Sequence, residues 1–88
     1  MEKEVITVVK DNINDYVLQA ILAINSGVPV IEIVGRGKNI YKAVYVFNRL
    51  RGRIGDAVEI ERVEIGSEER GRRRIPYIKI VLKQKLPL

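Results

Sequence analysis

The chain contains no cysteine and no histidine among its 88 residues, and a single methionine. The first absence excludes a disulfide staple. The two together exclude a structural zinc site and a Cys/His catalytic pair. Nowhere do 18 apolar residues run together, so no membrane-spanning helix is expected. The opening stretch, MEKEVITVVK, mixes acid with base, and its apolar run is too short for a signal peptide. Internal repeats, low-complexity segments and linkers are also missing. These absences point to one soluble, cytoplasmic domain spanning residues 1–88. A chain of this length buries only about 60–65% of the surface its unfolded form exposes. Without staples, association with another subunit is the expected further source of stability. Richness in Ile, Val, Glu and Arg leans toward a thermophilic source.

What is present is charge, unevenly spread. The net charge is +5. Residues 1–34 are acid-rich, whereas residues 35–55 hold Arg36, Lys38, Lys42, Arg49, Arg51 and Arg53 and no acid. Residues 56–65 turn acidic again. The stretch GSEERGRRRIPY, Gly66 to Tyr77, then packs Arg70, Arg72, Arg73 and Arg74 around Gly71. Two basic blocks on an otherwise acidic chain make a directed field rather than a uniformly basic surface.

Hydropathy patterning predicts the order β-α-β-α-β-β. Glu4 to Val9 is β-branched and apolar, a strand that ends in a polar break where Asn12 or Asn14 can cap a helix. Apolar residues at Ile13, Tyr16, Val17, Ala20, Ile21 and Ile24 follow a 3.6-residue period. Pro29 to Val34 is almost continuously apolar, as a buried strand should be. A second helix is expected from about Lys38 to Arg51, with a main stripe of Ile40, Ala43, Val44, Phe47 and Leu50. A second stripe, Tyr41 and Tyr45 with Val46 beside it, suggests contact on another face, and hence a subunit interface. The bland alternative leaves these tyrosines on the surface with their hydroxyls in water. From Ala57 to Ile65 the alternation slips phase near Glu61–Arg62, which calls for a bulge or a change of buried face. Ile75 to Lys83 closes the chain as a strand. The fold class is therefore α/β, a two-layer α+β arrangement. It has a four-stranded mixed sheet, two helices on one face, parallel neighbours from the two β-α units and a long terminal hairpin.

Two candidate sites emerge. Four arginines in the hairpin are either a solvated turn paired with Glu68 and Glu69 or an arm that grips phosphate, since guanidinium groups bind phosphate bidentately and stay charged. At about 3.3 Å per residue the arm would project roughly 15 Å, enough to enter a DNA groove. The loop VGRGKN places Arg36, Lys38 and Lys42 at the start of the second helix. There the helix dipole disfavours cations, and an acidic ligand would offset that cost. The loop lacks the third glycine of a dinucleotide fingerprint and is not a P-loop, so no cofactor is implied, and a tight turn is the alternative. Arg49, Arg51 and Arg53 at the helix end are explained by the dipole alone. Lys10 is a further candidate contact, weakened by Asp11 beside it. Carboxylates at Asp11 and Asp15, and at Glu59, Glu61 and Glu64, read as solvated faces. Neither an enzyme nor a metal site is expected.

The segments GRGKNIYKAV (Gly35 to Val44) and EIERVEIGSEERGRRRIPYIKIVL (Glu59 to Leu82), with YVLQAILAINSGV before them, resemble the archaeal Alba family of nucleic-acid-binding chromatin proteins, and its divergent second paralogue most of all. The resemblance runs from Glu4 to Lys83. It implies a dimer whose hairpin arms reach into DNA minor grooves while the body lies on the phosphate backbone. By position, Lys10, Arg36, Lys38 and Lys42 match the family's body contacts, and Arg70, Arg72, Arg73 and Arg74 its hairpin arm. The family's Lys-Lys-Pro is Lys10-Asp11-Asn12 here, so one contact is reversed in charge and acetylation of a lysine pair is not carried over. Tyr41 stands where a small polar residue is usual. Ile54 is the nearest match to a hydrophobic residue that packs dimers side by side.

These readings converge on sequence-nonspecific binding of double-stranded DNA, and of RNA, by a chromosome-associated dimer. Tyr41, Tyr45 and Phe47 are its expected dimer contacts and Ile54 its dimer–dimer contact. An RNA-binding module of an RNA-processing or translation particle is the alternative. A subunit that pairs chiefly with another Alba-type chain is a third reading.

Overall fold

A computed structural model describes residues Lys3 to Lys85. The elements are β1 (Lys3–Thr7), α1 (Ile13–Asn25), β2 (Val30–Arg36), α2 (Ile40–Ile54), β3 (Val58–Arg70) and β4 (Arg73–Gln84), with single 3₁₀ turns at Gly37–Asn39 and Gly55–Ala57. They form a four-stranded mixed sheet in the order β1-β2-β4-β3. This is the β-α-β-α-β-β arrangement anticipated above, with one correction. Only β1 and β2 are parallel neighbours. β4 pairs antiparallel with both β2 and β3, so β3 runs parallel to β2 but one strand removed from it. The long hairpin lets β4 take the place beside β2.

Side chains alternate across the sheet, and one face carries both helices. Along β2, Ile31 and Ile33 join the core with Ile6, Val8, Ile80 and Leu82, against Val17, Ala20 and Ala23 of α1 and Ala43, Val46 and Leu50 of α2. Full burial of an isoleucine or leucine contributes about 1.5–3 kcal/mol, so these rows hold the two layers together. Val46, expected beside the tyrosines, is instead fully buried in the core, because it lies one helical turn before Leu50.

The helices stop short of β3. Val58 at the start of β3 is still buried in the core, but the next three cross-strand rungs on the helix side end in an exposed apolar residue. Ile6 pairs with Ile33, Ile33 with Ile80 and Ile80 with Val63, which is 46% exposed. On neighbouring rungs Ile60 is 42% and Ile65 79% exposed. The phase slip appears as a register shift between Ile60 and Arg62. It keeps Val63 and Ile65 on the helix side.

Element ends differ from expectation in ways that bear on function. Asn12 occupies the N-cap position of α1, yet its side chain makes no capping bond. Its Nδ2 donates instead to Asp15 Oδ2 at 2.6 Å. α2 runs through Gly52 to Ile54, so Ile54 sits in its last turn, half-buried against the core, and not in a loop beyond it. β3 and β4 are longer than anticipated, and their ladder reaches the Arg70–Arg73 pair. The two-residue turn between them has a positive φ of 64° at Gly71 and none at Arg72. That is the type II′ pattern, which requires glycine first. The arginine arm is therefore a paired ribbon to its tip. It contributes to a molecule 49 Å long but only 23 × 20 Å across.

Candidate nucleic-acid interface

Topology gathers the basic residues at one end of the sheet. Because β1 and β2 are parallel, Lys10 and Arg36 leave the sheet at the same end. Arg36 pairs in register with Tyr77, so the antiparallel β4 brings the hairpin there too. A groove of about 350 Å³ opens between the α2 loop and the hairpin base. Arg36, Lys38, Arg70, Arg73 and Arg74 line it, over an apolar floor of Ile75 and Pro76. The start of the first basic block and the hairpin arginines, separate in sequence, share one surface. Asn39 Oδ1 in its wall is buried without a hydrogen-bond partner among the described residues. Arg72 and Gly71 line a second recess at the tip with Glu69, Arg73 and Arg74.

Each glycine of the GRG loop has its own task. Gly35 is buried in β2 facing α2, and a Cβ there would lie 2.5 Å from the Asn39 carbonyl oxygen and 2.8 Å from Ala43 Cβ. The helix can approach the strand only because that atom is missing. Gly37, at φ 57°, turns the chain into the 3₁₀ segment that presents Lys38.

Half of the cations on this surface already hold a carboxylate. Arg36 Nε donates to Glu68 Oε1 at 3.1 Å, and Arg70 Nη2 donates to Glu68 Oε2 at 3.4 Å. Glu68 thus lies between guanidinium groups from the body and from the arm. The Arg36 hydrogen bond is the main reason that its carboxyl is held below the usual carboxylate range. Arg74 Nη2 donates to Glu69 Oε1 at 3.1 Å. Lys42 Nζ meets Asp11 Oδ1 at 2.7 Å, and the lysine side chain is only 13% exposed. Their hydrogen bond lowers the Asp11 pKa and raises that of Lys42, with the nearby Lys38 lowering Asp11 further. The acidic partner that cations at a helix start call for is therefore supplied by the chain itself. Lys10, Lys38, Arg72 and Arg73 make no ion pair among the described residues.

Two contributors do not stand out in the sequence. Tyr16 reads there as part of an apolar stripe. Its hydroxyl accepts hydrogen bonds from the backbone N–H of Val9 at 3.2 Å and of Lys10 at 3.1 Å, and so fixes the segment that carries Lys10. The only signal is the polar tip of an otherwise apolar residue. Glu32, within an apolar strand, is buried on the open sheet face, 3.0 Å from Lys3 Nζ and 3.9 Å from Lys79 Nζ. Three further carboxylates on β3 are tied as well: Glu61 and Glu64 to Arg62, and Glu59 to Lys83. No group of three metal-ligating side chains occurs among the described residues, and no helix there is long and apolar enough to cross a membrane.

The expected subunit contacts do not share one face. Tyr45 and Phe47 project about 160° apart on a 3.6-residue helix. Tyr41 is 66% exposed. Tyr45 lies under the Arg49 guanidinium at 5.3 Å, on the flank where Arg49 Nη1 donates to Asn14 Oδ1 of α1. Phe47 is half-buried against the core, with Arg51 at 6.0 Å from its ring.

Comparison with known proteins accounts for the fold. The Alba family model matches residues 4–67. The chain is 45% identical over 73 residues to the DNA/RNA-binding protein Alba 2 of Saccharolobus solfataricus, covering 83% of this chain and 82% of that protein. It is 44% identical over the same span to its counterpart in Saccharolobus shibatae. Among solved structures it superposes on Alba from Thermoplasma volcanium with a TM-score of 0.77 at 28% identity, covering 92% of this chain and 100% of that one. ALBA1 from Trypanosoma brucei, at 17% identity and a TM-score of 0.80, shares the fold. None of these names carries a catalytic activity. With a family match over most of its length and a superposable fold, the chain belongs to the Alba family.

Proposed function

We propose that this protein binds double-stranded DNA, and also RNA, through phosphate contacts with little sequence preference. It does so as a dimer of 88-residue domains on the chromosome in the cytoplasm. The observation that carries this reading is the single cationic surface formed where the α2 loop meets the hairpin base. The names of its relatives support it. Arg72 and Arg73 at the arm enter the minor groove, where the potential is most negative, and Lys10, Arg36, Lys38 and Lys42 lie on the backbone. Backbone contacts position the protein without reading sequence. Binding therefore weakens steeply with salt, by a log–log slope of about −0.9 per phosphate neutralised on B-DNA. Titration of one duplex DNA and one structured RNA across a salt series checks this. A salt-insensitive affinity overturns it, and binding confined to RNA establishes the RNA-module reading in its place.

The dimer follows from the uncovered row on β3. Ile60, Val63 and Ile65 continue the core rungs beyond the helices. A second copy, or another Alba-type chain, would complete those rungs. Changing Ile65 to Glu is expected to convert a dimer to a monomer in sedimentation equilibrium without unfolding it, since that side chain is the most exposed of the row. A monomeric parent protein, or a variant that stays dimeric, removes this interface.

A further inference from the structure

We propose that Asp11, Glu68 and Glu69 are built-in competitors for phosphate. They occupy the cations of the interface until a polyanion displaces them, and so hold its affinity below what its basic residues could deliver. This rests on the nucleic-acid reading of the same surface. The geometry is that of phosphate recognition with a carboxylate in the phosphate's place. Glu68 accepts from Arg36 with one oxygen and from Arg70 with the other, joining the body and the arm as a bound backbone phosphate would. Asp11 caps Lys42 at 2.7 Å, and Glu69 engages Arg74 at 3.1 Å. All three pairs lie at the end of the sheet where the groove opens, while Lys10, Lys38, Arg72 and Arg73 are left without an ion pair among the described residues. The interface thus has two tiers.

The unpaired tier meets any phosphate at once. The paired tier opens only when a phosphate replaces a carboxylate on each cation, which exchanges one ion pair for another and yields little net free energy per site. A duplex, whose many fixed phosphates engage the unpaired tier and the paired tier together, can drive that exchange; a small isolated anion meets the carboxylates with no such help. Ion pairs at a protein surface are individually weak, so each carboxylate is displaceable and none locks the site.

The test uses the full chain and one duplex DNA of mixed sequence, at a fixed ionic strength of about 0.1 M. Glu68→Gln and Asp11→Asn are each expected to tighten binding about two- to fivefold, and with Glu69→Gln added the gains accumulate. Glu59→Gln is the control. It adds the same charge, but lies nine residues along β3 from Glu68, about 30 Å away, well beyond a screening length of about 10 Å. It is expected to change affinity by less than twofold. Thermal melts confirm that each variant is folded at the binding temperature. If Glu68→Gln and Asp11→Asn leave affinity unchanged or weaken it, the carboxylates do not compete. If Glu59→Gln gains as much as they do, the effect belongs to the overall field. Either result overturns the proposal and leaves the binding reading standing. A parent protein that binds neither DNA nor RNA at low salt overturns both.

Discussion

Replacing Arg72, Arg73 and Arg74 together with alanine is expected to weaken binding to every duplex sequence alike, by roughly 10²- to 10³-fold at 0.1 M salt. With a slope of about −0.9 per neutralised phosphate, each such pairing accounts for about eightfold at that concentration, and three are removed. The salt dependence should flatten in proportion, by about 0.9 for each phosphate no longer neutralised. The three residues do not count equally. Arg74 is engaged by Glu69, whereas Arg72 and Arg73 have no ion-pair partner among the described residues, so Arg74→Ala alone should cost least. Fold stability should be nearly untouched, because all three side chains are exposed and the ladder around them is held by backbone pairing. Binding titrations on unrelated duplex sequences decide the matter. Loss confined to one sequence would mean that the arm reads bases, and unchanged binding would place the grip elsewhere.

The second large effect is on folding. Gly35→Ala is expected to destabilise the protein by about 1–3 kcal/mol, the usual cost of overpacking, and to lower the melting temperature by roughly 5–20 °C for a chain of this size. The added methyl would meet a backbone carbonyl at 2.5 Å and the Ala43 Cβ at 2.8 Å, neither of which is the free end of a flexible side chain. Relief requires α2 to move off β2, which also displaces the turn carrying Lys38 and the first turn carrying Lys42. Stability and binding should therefore fall together. Gly52→Ala is the contrast. No atom lies within 4 Å of its added Cβ and its φ is not positive, so the change should be neutral or stabilising by up to about 1 kcal/mol. Chemical denaturation of the two variants checks both directions. An unaffected Gly35→Ala protein would mean that the helix–strand approach is looser than this packing implies.

The order of elements, the bulge near Glu61–Arg62 and the two basic blocks are legible in the chain itself. Periodicity, turn residues and charge runs act between near neighbours, so they survive in one dimension. The hairpin is legible too: taken alone it reads evenly as a solvated turn or a gripping arm, and the second basic block in the chain favours the arm. Gly35 illustrates the limit. Its motif is visible and suggests a loop glycine, whereas the residue serves the close approach of α2 to β2. Val46 is misplaced by its sequence neighbours because two overlapping stripes on one helix cannot be ranked until it is known which one the sheet lies under.

By itself, then, the sequence determined the α+β layering, the absence of disulfide, zinc and Cys/His chemistry, and the concentration of positive charge in two segments. Tertiary structure alone decided that the start of the first segment and the hairpin form one groove, and which cations around it are already occupied. Arg36 and Glu68 are 32 positions apart, and nothing local links them. They meet because β4 inserts between β2 and β3 and carries the hairpin back to the end of β2. The same strand order leaves β3 after Val58 beyond the reach of two helices, and so exposes Ile60, Val63 and Ile65. An ion pair or an uncovered rung is a property of which strands become neighbours. That choice is made by the packing of the whole chain against its own helices, and no segment of the sequence states it.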